Sequence, residues 1–221
     1  MIRPGFCGTL VNFTQSELKH LSGLKQIAYT YKDFVSLCAP MLKTDLDNTG
    51  IFSQSDFDRL EKYLVPRTLR KNEILLDQGQ ICQAVYFISS GSAYQFRYED
   101  IDEKITDIHL PKEWCLNYSS FITQAPSENI IKANSETTAF GLSLTAIHEL
   151  IAQSSVFLQL GKILQGATTR THYLDNSMSP FERYNDLIKN RPLVLQMFPL
   201  KLIASYLNMT PETLSRVRSC F

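Results

Sequence analysis

Glu212, Thr213, Ser215, Arg216 and Arg218 concentrate hydrogen-bonding chemistry in one short stretch. A guanidinium fork suits the O6/N7 edge of guanine, and a carboxylate accepts from cytosine N4. Such a set can read DNA only if one rigid element presents it on a single face, and the flanking residues supply that element. Thr210 can cap a helix, and Pro211 suits its first position, where the missing N–H would be unpaired anyway. Leu214 and Val217 give this helix an apolar back. Before it, Ile203, Ala204 and Leu207 share one face of a first short helix. Asn208 stands where the chain must turn sharply, and Asn is the commonest non-glycine residue in left-handed backbone. Met209 can close a small core with Ile203 and Leu207, and Ala204 is small where the two helices cross. The stretch from Pro199 to Cys220 reads as a helix-turn-helix whose second helix enters a major groove. Thr210, Glu212, Thr213, Ser215, Arg216 and Arg218 are its candidate DNA contacts. Two amphipathic helices can also be plain core. Here caps, turn residue, apolar positions and outward chemistry all agree on DNA reading.

The same stretch resembles the helix-turn-helix of the Crp/Fnr superfamily of bacterial transcription regulators. In that family the reading helix carries Glu-Thr and Ser-Arg pairs, matched here by Glu212-Thr213 and Ser215-Arg216. The resemblance implies that Glu212 and Arg216 contact bases while Thr213 and Ser215 help hold the backbone. Pro211 ahead of the Glu, with the chain stopping soon after, resembles a branch common in Bacteroidetes. Because Pro211 replaces what is often a base-reading side chain, the family's operators do not carry over.

Composition bounds the remainder. Lys and Arg number 22 against 22 Asp and Glu, so any positive surface is local. From Arg170 onward there are seven basic against four acidic side chains, a net of +3, which suits a DNA-facing end. No run is long enough to span a membrane and no apolar signal core opens the chain, so the cytosol is the expected compartment. The five cysteines, Cys7, Cys38, Cys82, Cys115 and Cys220, include no C-x-x-C pair. That spacing argues against the iron–sulfur cluster of some Crp/Fnr relatives and for reduced, incidental thiols. His20, His109, His148 and His172 show no ligand spacing for zinc or haem.

Residues 66–143 read as short strands: Glu73 to Leu76, Ala84 to Ser89, Ser92 to Tyr98, Lys104 to His109 and Asn129 to Ala133. Turn residues at Asp77-Gln-Gly79, Ser90-Gly91 and Glu99 to Asp102 separate them. This pattern predicts a jelly-roll. It resembles the cyclic-nucleotide-binding β-roll of the same superfamily, with Asn72, Gly79 and Gly91 at matching turns. The resemblance covers roughly residues 52–221.

Cyclic-nucleotide binders use a Gly-Glu pair followed about ten residues later by an Arg, which neutralises the phosphate. The equivalent stretch from His109 to Glu136 has no glycine and no arginine, leaving Glu113 as the surviving carboxylate. Cyclic AMP is therefore rejected as the effector. An unknown small molecule could meet Glu113, Trp114, Tyr118, Ser119 and Ser120, with Phe121 as a further wall. The favoured alternative is that the aromatics simply fill the barrel.

Phe157, Leu160, Leu164, Ala167, Thr171, Leu174 and Met178 recur at steps of three and four, a coiled-coil-like seam. The resemblance implies a parallel homodimer, which sets two reading helices about 34 Å apart on a pseudo-palindromic duplex. RNA polymerase is a further partner on this reading. Ser179 can cap a helix starting at Pro180, with Glu182 near its positive end and Phe181, Tyr184, Leu187 and Ile188 buried. Ser177 to Ser179 form the candidate hinge.

The expected class is α+β. A helical N-terminal extension (1–50) precedes a double-stranded β-helix sensor (51–143), a dimerisation helix (144–178) and the helix-turn-helix (179–221). Asp45, Asp47, Thr49, Gly50, Ser53 and Asp56 match part of an EF-hand loop, but Asp56 is shorter than the bidentate Glu at the twelfth place, so a turn before a helix is preferred to calcium. No nucleophile–base pair points to an enzyme. The reading is a transcription regulator; the rival is a small-molecule or protein-binding module with a vestigial DNA-binding end.

Overall fold

The computed structural model describes residues 40, 42–46, 50–164 and 178–219, all within one compact unit. Residues 42–46 are helical and bury Leu42 and Leu46. Helix α1 (Gln54–Glu61) follows, opened by a capping box in which Ser53 and Asp56 satisfy each other's amides.

Eight antiparallel strands then form two four-stranded sheets. They are β1 (Val65–Leu69), β2 (Ile74–Leu76), β3 (Ala84–Ser90), β4 (Ala93–Glu99), β5 (Asp102–His109), β6 (Trp114–Cys115), β7 (Ile130–Ala133) and β8 (Thr137–Ser143). Sheet order is β1-β8-β3-β6 and β2-β7-β4-β5, a β-roll. The sequence reading missed β1, β6 and β8. β1 carries Pro66 and survives because it is an edge strand paired only with β8. β6 is too short to show a pattern, and Gly141 interrupts that of β8. Gly91 has φ +80°, and a Cβ there would collide with the Glu136 carbonyl and with Thr137. Only glycine fits that hairpin.

Helix α2 (Tyr118–Thr123) lies between β6 and β7, and α3 (Leu144–Gln153) follows β8. The expected long helix is not continuous. Ser154 is extended (φ −159°), Ser155–Gly161 form a 3₁₀ segment, and residues 162–164 resume as α-helix. Phe157 and Leu160, expected between two chains, are instead 0% and 4% exposed within one. They share the roll's core with Leu42, Phe57, Leu60 and Phe87. A three-four repeat marks a buried face without saying what buries it; here the chain's own roll does. Leu164 is half-buried against the same core. Ala167, Thr171, Leu174 and Ser177 lie outside the described residues, as do the N-terminal helices expected before residue 40.

Four short helices complete the fold: α4 (Pro180–Asn190), α5 (Pro192–Met197), α6 (Leu200–Tyr206) and α7 (Pro211–Arg218). Ser179 caps α4 in a capping box with Glu182. Tyr184 and Leu187 are buried and Ile188 half-buried, but Phe181 is 47% exposed, contrary to expectation. The buried stripe of α4 runs through Arg183 instead.

The four helices dock on the outer face of the second sheet. Along β4 the pleat sends Ala93 into the roll and Tyr94 and Phe96 outward. With Ile105, Ile108 and Ile130 these form a second core against Leu187, Val194, Ile203, Tyr206 and Leu214. Among the described residues, no helix is long and apolar enough to cross a membrane.

Candidate nucleic-acid interface

The α6–turn–α7 unit is built from short-range rules. Ile203, Ala204 and Leu207 are buried on one side of α6. Leu207 and Asn208 donate back to the carbonyls of Ile203 and Ser205 at 2.9 and 3.0 Å. Asn208 takes left-handed backbone, φ 52°, and redirects the chain. Met209 then donates to the Ala204 carbonyl at 3.0 Å, closing the turn. Thr210 caps α7 by accepting the Thr213 amide at 3.2 Å, and Pro211 occupies the first turn.

Leu214 faces the core and is 1% exposed, with Val217 half-buried beside it. Glu212, Ser215, Arg216 and Arg218 are exposed and Thr213 is half-buried, while Thr210 is exposed at the cap. The eight residues of α7 span about 12 Å at the rise of an α-helix, enough to reach a few successive base edges. The hydrogen bond from its own backbone amide, then the Thr210 hydroxyl, hold the Glu212 carboxyl below its ordinary range, with Arg216 adding to this. It stands ready as an acceptor.

Two arginines missed in the sequence, one buried and one half-buried, position this unit. Arg183 is 6% exposed. Its Nη1 donates to the Leu207 and Asn208 carbonyls at 2.7 and 2.9 Å, and its Nε to the Met178 carbonyl at 2.9 Å. One guanidinium thus joins the start of α4 to the turn before α7. A cation in register with Leu187, four residues on, was the signal available. Arg191 reaches the other way, to the carboxylate of Glu113 at 2.7 and 2.9 Å. Nothing local in the sequence marks that partner.

The five effector-pocket candidates do not converge. Glu113 turns outward to Arg191 and accepts the Leu110 amide at 2.9 Å. Trp114 is core: its ring lies 5.3 Å from that of Phe87, and its indole N–H donates to Asp45 at 2.7 Å. Ser120 is buried between the Cys82 amide and the Ala125 carbonyl, both hydrogen-bonded to its hydroxyl. Tyr118 and Ser119 are exposed.

A cyclic phosphate does not fit the residues present. Asn117 caps α2 and its side chain already takes the Ser120 amide. From Leu110 to Ser135 there is no arginine, and Lys132 pairs with Glu103 at 2.8 Å on the outer face of the sheet. A separate apolar cavity of about 460 Å³ lies against α2 and α3, lined by Phe121, Ile122, Ile147, Ile151, Leu158 and Leu164. None of the five candidates lines it.

Two residues of the EF-hand match have other partners. Asp45 serves Trp114 while Asp56 caps α1, and Asp47 and Thr49 lie outside the described residues. Among the described residues, no cluster of three or more His, Cys, Asp or Glu is placed to hold a metal ion.

Residues 66–154 match the cyclic nucleotide-binding domain family. FixK2 from Bradyrhizobium japonicum superposes with a TM-score of 0.56 at 16% identity, over 71% of this chain and 83% of that one. A CooA variant from Carboxydothermus hydrogenoformans gives 0.54 at 15% identity, covering 80% and 82%. CLP from Xanthomonas campestris, described as a c-di-GMP-responsive global regulator, gives 0.52 at 17% identity, covering 76% and 91%. No curated protein matches the sequence. At these identities the likeness is one of fold. The roll over residues 66–154 is thus similar to the cyclic nucleotide-binding domain family, and the roll with its docked helical unit shares the fold of these regulators.

Proposed function

We propose that this protein is a sequence-specific, DNA-binding transcription regulator that acts as a homodimer and is not controlled by cyclic AMP. The observation that carries the reading is α7: Leu214 is locked inward while Glu212, Ser215, Arg216 and Arg218 face solvent. A helix capped at Thr210 and held by a left-handed Asn208 presents those groups rigidly, as base readout requires. The dimer part of the proposal rests on the seam spacing through Ala167, Thr171 and Leu174, and on the two-fold sites that paired reading helices favour. The missing Arg and the occupied Asn117 cap support independence from cyclic AMP.

The test is selection of bound duplexes from a random library, begun at low salt because phosphate contacts dominate affinity. A two-fold symmetric site, lost on Arg216→Ala, is the expected result. Failure of well-folded protein to enrich any motif would overturn the reading.

A further inference from the structure

Arg191 touches three parts of the molecule at once. Its Nη2 meets both Glu113 carboxylate oxygens, at 2.7 and 2.9 Å, and the Ile108 carbonyl of β5 at 2.8 Å. Its Nη1 donates to the Tyr206 hydroxyl of α6 at 2.7 Å. The guanidinium-bearing side chain is 11% exposed. Further polar contacts cross the same junction. The Ile105 amide donates to the Ser205 hydroxyl at 2.9 Å, which itself donates to the Glu103 carbonyl at 3.4 Å. Asn134 donates to the Met197 carbonyl at 2.9 Å, and the Lys104 ammonium donates to the Asn208 side-chain carbonyl.

We propose that the Glu113–Arg191 pair is a positioning device for DNA reading: it holds the helical unit docked on the sensor sheet, and the docked state is the one that binds DNA. This rests on the function proposed above.

Three observations carry it. The carboxylate is fixed rather than swinging, because it accepts the Leu110 amide and follows Lys112, which is in left-handed backbone at φ 69°. Its neighbour Trp114 is anchored inside the roll on Phe87 and Asp45, so movement of this loop moves Glu113. The docked arrangement also leaves Glu212, Ser215, Arg216 and Arg218 exposed. Docking therefore orients the reading helix without covering it, which lowers the ordering cost of binding. A roll ligand that shifted residues 110–113 would reach the DNA-reading unit through this pair, because a largely buried guanidinium that loses its carboxylate is left uncompensated.

The test uses the full chain and the duplex selected by wild type. Glu113→Gln, Arg191→Gln and the double variant are compared for DNA affinity, melting temperature and hydrogen exchange at the Ile105 amide. Each single change should weaken binding about tenfold by depopulating the competent state. The double variant should bind no worse than the weaker single, and Ile105 should exchange faster in all three. Arg216→Ala should lose DNA but leave Ile105 exchange unchanged. Lower melting temperature with unchanged affinity of the folded protein makes the pair merely structural and overturns the proposal. Tighter binding in the variants makes the contact inhibitory and also overturns it. A wild-type chain that selects no DNA overturns the proposed function itself, while Ile105 exchange still reads the docking alone.

Discussion

Arg183 and Asn208, 25 residues apart, meet where the guanidinium donates at 2.9 Å to the carbonyl of the left-handed turn residue. The same nitrogen holds the Leu207 carbonyl. The turn before α7 is thus fixed from beneath by a side chain of α4, and not by its own backbone alone. Arg183→Met should destabilise the fold by about 2–4 kcal/mol, since buried acceptors lose their donors. Arg183→Lys should recover only part of that, because a point charge cannot span three carbonyls as a fork does. Denaturant midpoints of the two variants check both statements.

Arg216→Ala acts on recognition and not on folding. Its side chain is exposed and the helix is capped independently at Thr210. The expected loss is about 1–3 kcal/mol of discrimination at one base pair, with melting temperature unchanged. Competition between the selected duplex and single-base variants measures it. A uniform loss across all duplexes would mark Arg216 as a phosphate contact instead.

Phe157→Ala distinguishes a core residue from a seam residue. With the ring buried in the protomer's own core beside Phe52, at 6.1 Å between ring centres, its removal should cost about 3–5 kcal/mol. The loss should be the same at low and high protein concentration. A loss that grows on dilution would return Phe157 to the dimer interface.

Three carboxylates give acid responses of two opposite signs. Ser53 hydrogen bonds hold the Asp56 carboxyl below its ordinary range, and Ser179 does the same for Glu182. A depressed folded-state value means that their stabilisation is present above the ordinary carboxylate range and is lost as pH falls through the depressed value. Glu182→Gln should therefore flatten the acid limb of the stability curve. Burial raises the Asp45 carboxyl, against the opposing Trp114 hydrogen bond. Its charged form costs stability at neutral pH, and protonation on acidification relieves the cost. Asp45→Asn keeps an acceptor for Trp114, so it should raise the melting temperature at pH 7. That gain should vanish as pH falls below the range of both carboxyl values.

The local devices were legible in the sequence. Asn72, Gly79, Gly91 and Asn208 all take the positive φ their turns require. Thr210, Ser179 and the prolines after them open helices as their chemistry predicts. Each signal is complete within four or five residues, because capping and turn energetics are short-ranged. The pairing of Glu113 was not legible, because its partner lies 78 positions away. Arg183 was passed over because a long cation on a buried stripe is identified only by the carbonyls it finds.

The amino-acid order by itself determined the strand-rich middle, the two-helix unit of α6 and α7 and the outward face of α7, since spacing and end-capping act on neighbours. Which surface covers an apolar stripe is a different matter. That Phe157 and Leu160 close the roll's core, that Tyr94 and Phe96 face the helices, and that Arg191 binds Glu113 were decided only by tertiary packing. Apolar burial is non-directional: it requires that a face be covered and leaves the choice of cover to the shape of the whole chain.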